Sequence, residues 1–88
     1  MMATATVEFT EGRTTRLVYH DTVVVTLTPK YITLNTGGWN TRTTVARMNG
    51  ASLRHELGFH AFRKGGEVFV KRGGKVYSFT NNKLVLSR

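Results

Sequence analysis

Cysteine is absent from the 88 residues, and acidic side chains are scarce, five against thirteen Lys and Arg. Without cysteine there is no disulfide, no thiolate metal site and no cysteine nucleophile, which fits a reducing compartment. The five carboxylates are scattered and leave no close pair for general acid and base work. No class of enzyme has a visible site, so neither a catalytic residue nor a cofactor is expected. The apolar runs fall far short of the roughly 18 residues that span a bilayer, so no helical membrane span is expected. The stretch MMATATVEFTEG has no basic segment and no apolar one, and no signal peptide is expected. Proline occurs once, at Pro29, where Pro29-Lys30 reads as a turn.

Hydrophobic residues make up 40% and aromatics 10% of the chain, enough for a packed core and too much for disorder. A chain this short buries roughly 60–65% of the surface its unfolded form exposes, so residues 1–88 read as a single domain. The charge is unevenly spread. Residues 1–41 hold three basic side chains (Arg13, Arg16, Lys30) and three acidic ones (Glu8, Glu11, Asp21). Residues 42–88 hold ten basic and two acidic ones (Glu56, Glu67), which is the whole net charge of +8.

Alternation and β-branched content predict strands over Thr4–Phe9, Thr15–His20, Thr22–Thr28 and Tyr31–Leu34. Val23, Val25 and Leu27 are expected on the core side, and His20-Asp21 as a tight turn. Asn35-Thr36-Gly37-Gly38 is a loop; it lacks the spaced glycines and lysine of a nucleotide-binding loop. A short helix is expected near residues 44–55, with Thr43 or Thr44 as N-cap and Val45, Met48 and Leu53 along it, weakened by Gly50. Strands Phe59–Arg63, Glu67–Arg72, Lys75–Thr80 and Leu84–Ser87 follow, joined by turns containing Gly65-Gly66, Gly73-Gly74 and Asn81-Asn82. The expected fold is a small α+β domain with a strongly curved antiparallel sheet or partly open barrel.

The residues Ile32-Thr33-Leu34-Asn35-Thr36-Gly37-Gly38-Trp39, then Thr41, Thr43-Thr44, Arg47-Met48-Asn49, Gly58-Phe59 and Glu67–Val70 cover roughly half the chain. In this pattern the chain resembles small proteins of tailed bacteriophages that carry no assigned activity. Phe69 stands where the resembling proteins usually carry tryptophan. The resemblance implies a phage origin and little more, and supplies no catalytic residue; the expected location is the host cytoplasm.

The candidate site is the basic second half. Arg47 and Arg54 are seven apart and share a helix face, with the small Gly50 and Ala51 between them. Arg42 extends that stripe, and Arg63, Lys64, Lys71, Arg72, Lys75 and Lys83 add positive charge near the hairpin turns. Such a surface suits a nucleic-acid backbone, bound through released counterions, or the acidic surface of a host protein. Simple solubility and a minor place in the virion are further readings. Trp39 is an aromatic contact candidate, although a lone tryptophan in a small domain more commonly anchors the core. Phe69, Tyr77 and Phe79 are expected on one sheet face opposite Val68, Val70 and Val76. His55 and His60, five apart and separated by Gly58, do not share a helix face as a zinc motif requires, so no metal is expected. An open edge strand leaves room for a homodimer.

Overall fold

Threonine- and valine-rich stretches suit a pleated surface, and paired glycines or asparagines between them suit tight reversals. The computed structural model describes residues 6–19 and 22–88. Its elements are β1 (Thr6–Glu11), β2 (Thr14–Tyr19), β3 (Thr22–Leu27), β4 (Tyr31–Asn35), α1 (Arg42–Arg54), β5 (Phe59–Lys64), β6 (Glu67–Arg72), β7 (Lys75–Ser78) and β8 (Lys83–Ser87). The expected start at Thr4-Ala5 and the turn at His20-Asp21 lie outside the described residues.

The strands form two antiparallel sheets, a larger one in the order β1-β2-β3-β4-β8 and a smaller one in the order β5-β6-β7. The fold is α+β, as the alternation predicts, and the larger sheet is curved but not closed, since β1 and β8 are its free edges. Leu17, Val25, Leu27, Ile32, Leu34 and Leu86 of the larger sheet meet Met48 and Ala51 of α1, with Phe59, Ala61 and Val70 of the smaller sheet, in one apolar cluster. In three of the two-residue turns, Gly65-Gly66, Gly73-Gly74 and Asn81-Asn82, both residues are at positive φ. Positive φ at both central positions gives the reversal whose twist matches the flanking strands.

Three expectations about these elements are corrected. Val24 and Val25 are both buried, while Val23 is 36% exposed. The pairing of β2 with β3 skips a residue, from Leu17↔Val25 to Val18↔Val23, so a bulge at Val24 breaks the alternation. The helix begins earlier than expected. Thr41, in extended conformation, is its N-cap, and its Oγ1 accepts from the Thr44 N–H at 3.3 Å. Thr44 is instead a buried helical residue, its hydroxyl 3.2 Å from that of Thr41. Leu53 is 82% exposed. The helix buries Thr44, Met48, Ala51 and Ser52, and Leu53 lies two positions past Ala51, roughly 200° around the axis.

Candidate nucleic-acid interface

Helical geometry divides the arginines of α1 before any partner is considered. With about 100° per residue, Arg47 and Arg54 flank the buried arc on one side and Arg42 stands well away from them. On the Arg47 side lies β1. The Arg47 Nε donates to the Thr6 hydroxyl at 3.0 Å, and its guanidinium lies 5.6 Å from the centre of the Tyr19 ring. Arg54 donates to the Glu8 carboxylate at 2.8 Å, and the His55 Nε2 sits 3.2 Å from the other Glu8 oxygen. The hydrogen bond from Arg54 holds the Glu8 carboxyl below its ordinary 4.5, against a smaller opposing effect of burial. Ala51 is 1% exposed, so the stripe between Arg47 and Arg54 is not an open surface. A Cβ at Gly50 would lie 3.1 Å from the Arg54 Nη1.

The opposite flank of α1 meets β5, the edge strand of the smaller sheet. In an antiparallel pair alternate residues turn their backbone groups away from the partner. The two-residue turn pairs Lys64 with Glu67, which leaves Phe59 and Ala61 turned outward. Asn49 answers Ala61: its Nδ2 donates to the carbonyl at 2.9 Å and its Oδ1 accepts from the N–H at 2.7 Å. The buried Ser52 hydroxyl does the same for Phe59, donating at 2.7 Å and accepting at 3.2 Å. Beyond this clasp, Arg42, Val45, Ala46, Asn49 and Arg63 line an open groove of about 450 Å³. The Arg63 Nε donates to the Asn40 carbonyl at 2.8 Å, which fixes that guanidinium at the groove.

Lys83 stands on β8 of the larger sheet, opposite Asn35, whereas Lys64, Lys71, Arg72 and Lys75 belong to the smaller one. Its outward face presents His60, Phe62 and Lys64 on β5, opposite Lys71, Phe69 and Glu67 on β6. The Phe62 and Phe69 rings stack with centroids 5.8 Å apart, and His60 stacks on Phe62 at 6.5 Å. Phe69 therefore does not share a face with Tyr77 and Phe79. The pairs Val70↔Tyr77 and Lys71↔Val76 put Tyr77 on the core side and Val76 outside. A two-residue turn joins positions of opposite parity across a hairpin, so counting odd and even residues through Gly73-Gly74 misassigns the face. Arg72, at the end of β6, donates to the Ser87 carbonyl of β8, and Lys75 beside it is exposed.

Trp39 is 52% exposed and does not anchor the core, which is built of aliphatic side chains around Phe59. It follows the Gly37-Gly38 reversal, and its N–H donates to the Thr36 carbonyl at 2.8 Å. A cleft of about 180 Å³ beside this loop is lined by Asn40, Glu67, Asn81 and Asn82 among others; it has one acid and no base, a poor match for phosphate. Among the described residues no three His, Cys, Asp or Glu side chains come together as a metal site. The structure thus brings Arg42 to Arg63, sets Lys64 and Lys71 at opposite ends of one sheet face, and sends Arg47 and Arg54 to β1. Asn49, Ser52, Glu8 and Phe62 were not singled out from the sequence. Phe62 alone carried a signal there, since the turn at Gly65-Gly66 sets it opposite Phe69.

The fold and its charged surface define a small basic domain of two antiparallel sheets and one helix, with no helix long and apolar enough to cross a membrane among the described residues. The Kyanoviridae Gp96 protein family model matches residues 2–85, and the chain belongs to that family of tailed cyanophage proteins. Neither a curated protein nor a solved structure matches it. The residues that carried the phage resemblance do structural work here: the Asn35 Oδ1 accepts from the Gly37 N–H at 2.8 Å, Thr41 caps α1, Met48 is buried and Asn49 clasps β5.

Proposed function

We propose that this phage protein acts by binding rather than by catalysis, in the cytoplasm of the infected host, and that it contacts the nucleic-acid backbone with little sequence readout. One observation carries the reading. Of the ten basic side chains in residues 42–88, Arg54 alone is ion-paired among the described residues. The guanidiniums of Arg42 and Arg63 line one open groove, and Lys64, Lys71 and Lys75 are exposed on the adjoining sheet. Cations without a carboxylate partner can displace counterions from phosphates, which favours binding at low salt.

Fluorescence anisotropy with labelled DNA and RNA tests it. The expected result is a Kd of about 10 µM or tighter at about 50 mM salt, weakening by about tenfold or more at about 200 mM. No binding at low salt to single or double strands of either kind ends the reading. The second reading is a host protein met through an acidic surface. It is favoured by the outward face of the larger sheet, where Val7, Phe9, Val23 and Val85 are exposed, since apolar area belongs to protein contacts. A stoichiometric partner captured from nuclease-treated host lysate, together with no affinity for nucleic acid, decides for it.

A further inference from the structure

The outward face of β5, β6 and β7 has two properties that a purely electrostatic surface does not need. Its rings are organised: His60, Phe62 and Phe69 form a stacked row across two strands. They are not needed by the core, because the inner face of the same strands is already filled by Phe59, Ala61, Val68 and Val70. Between Phe62, Lys64, Phe69 and Val76 lies an open depression of about 250 Å³, flanked by the row. Lys64 sits beside Phe62 along β5 and Lys71 lies opposite His60, so an exposed cation stands at each end of the rings. Same-face neighbours along a strand are about 7 Å apart, which puts these cations within side-chain reach of a chain laid over the rings.

We propose that this face binds single-stranded nucleic acid, with Phe62 and Phe69 as the platform on which unpaired bases stack and Lys64 and Lys71 holding the flanking phosphates. The inference rests on the nucleic-acid reading and narrows it to strands with unpaired bases. A duplex hides its base faces within its own stack, whereas an unpaired base offers a π-face to rings left partly exposed, as Phe62 and Phe69 are. Charge argues against a second copy of this chain as occupant, because two such faces would set Lys64 and Lys71 against like charges. Glu67, the register partner of Lys64, is the one acid on the face, and no ion pair joins the two among the described residues.

The test compares three probes on the wild-type protein at about 50 mM salt: an oligothymidine of about 20 nucleotides, an abasic deoxyribose-phosphate strand of equal length, and a duplex. The oligothymidine is expected to bind at least about fivefold tighter than the abasic strand, the lower end of what one stacked base contributes. In the Phe62→Leu/Phe69→Leu protein, which keeps apolar cover, oligothymidine affinity should fall to the abasic level while abasic affinity holds. Equal wild-type affinity for the two strands, or tighter binding of the duplex, overturns the stacking proposal and leaves the backbone reading in place. Absence of binding to all three removes both. A wild-type dimer that the double substitution converts to monomer would show the face to be covered by a second copy, and also overturns it. The wild-type comparison decides even if the double variant does not fold.

Discussion

Two positions show how much of this molecule depends on single residues. A Cβ on Gly37 would lie 2.6 Å from the Thr22 hydroxyl and 2.7 Å from its methyl group, with the backbone at φ +60°. Gly38 is also at positive φ, but a Cβ there meets nothing within 4 Å. Gly38→Ala should therefore cost only the left-handed conformation, about 1–2 kcal/mol, while Gly37→Ala adds an overlap of about 1–3 kcal/mol. Urea unfolding should rank them so, and Thr22→Ala should recover part of the Gly37→Ala loss; equal losses would show that β3 does not press on this loop. Glu8 is the other position. Its folded pKa lies below 4.5, so its contribution to stability is present above that pH and is lost as the pH falls through the lower folded value. Glu8→Gln should be less stable than wild type near neutrality, with the gap narrowing below about pH 4.5 in parallel urea titrations. A gap that stays constant as the medium is acidified well past that point would assign the loss to packing. That Glu8 is the partner of Arg54 could not be read from the string, because the two lie 46 positions apart.

Elements were legible where local chemistry decides them and illegible where a neighbour does. Gly65-Gly66, Gly73-Gly74 and Asn81-Asn82 announce their hairpins, and the β-branched run of β3 announces a strand, because turn geometry and rotamer crowding act within a few residues. The bulge at Val24 was invisible, since it arises from the register of β2 against β3. So was the division into two sheets, which depends on β8 returning to pair with β4. The docking of α1 on β5 belongs to the same class. Asn49 and Ser52 act as a substitute strand, satisfying four backbone groups of a sheet edge that would otherwise be left unpaired. Asn49→Ala and Ser52→Ala should each lower stability by about 1–3 kcal/mol, the cost of stranding polar groups at a partly or fully buried site. In amide hydrogen exchange Ala61 should lose protection in the first variant and Phe59 in the second. Unchanged protection would mean that another protein group already shields that edge from solvent.

At the scale of the whole molecule, the uneven charge becomes a difference in what surrounds each cation. Three arginines of one helix have two fates: Arg47 and Arg54 join α1 to β1, while Arg42 faces the groove it shares with Arg63. A cation already paired with a carboxylate has little left to give a phosphate, whereas one held only by a backbone carbonyl keeps its full charge available. The slope of log K against log salt measures this directly, since it falls by about 0.7 for every phosphate of a single strand that is no longer neutralised. Arg42→Ala and Arg63→Ala should each flatten the slope by about that amount and leave the urea midpoint nearly unchanged. Arg54→Ala should do the reverse, leaving the slope in place while lowering stability and releasing Glu8 toward its ordinary pKa. If Arg54→Ala flattens the slope as much as Arg42→Ala, the Glu8 pair opens on binding and the β1 side of the helix belongs to the interface. If none of the three alters it, the groove is not where phosphates sit, and the outward face of the smaller sheet with Lys64 and Lys71 must carry the electrostatic contacts alone.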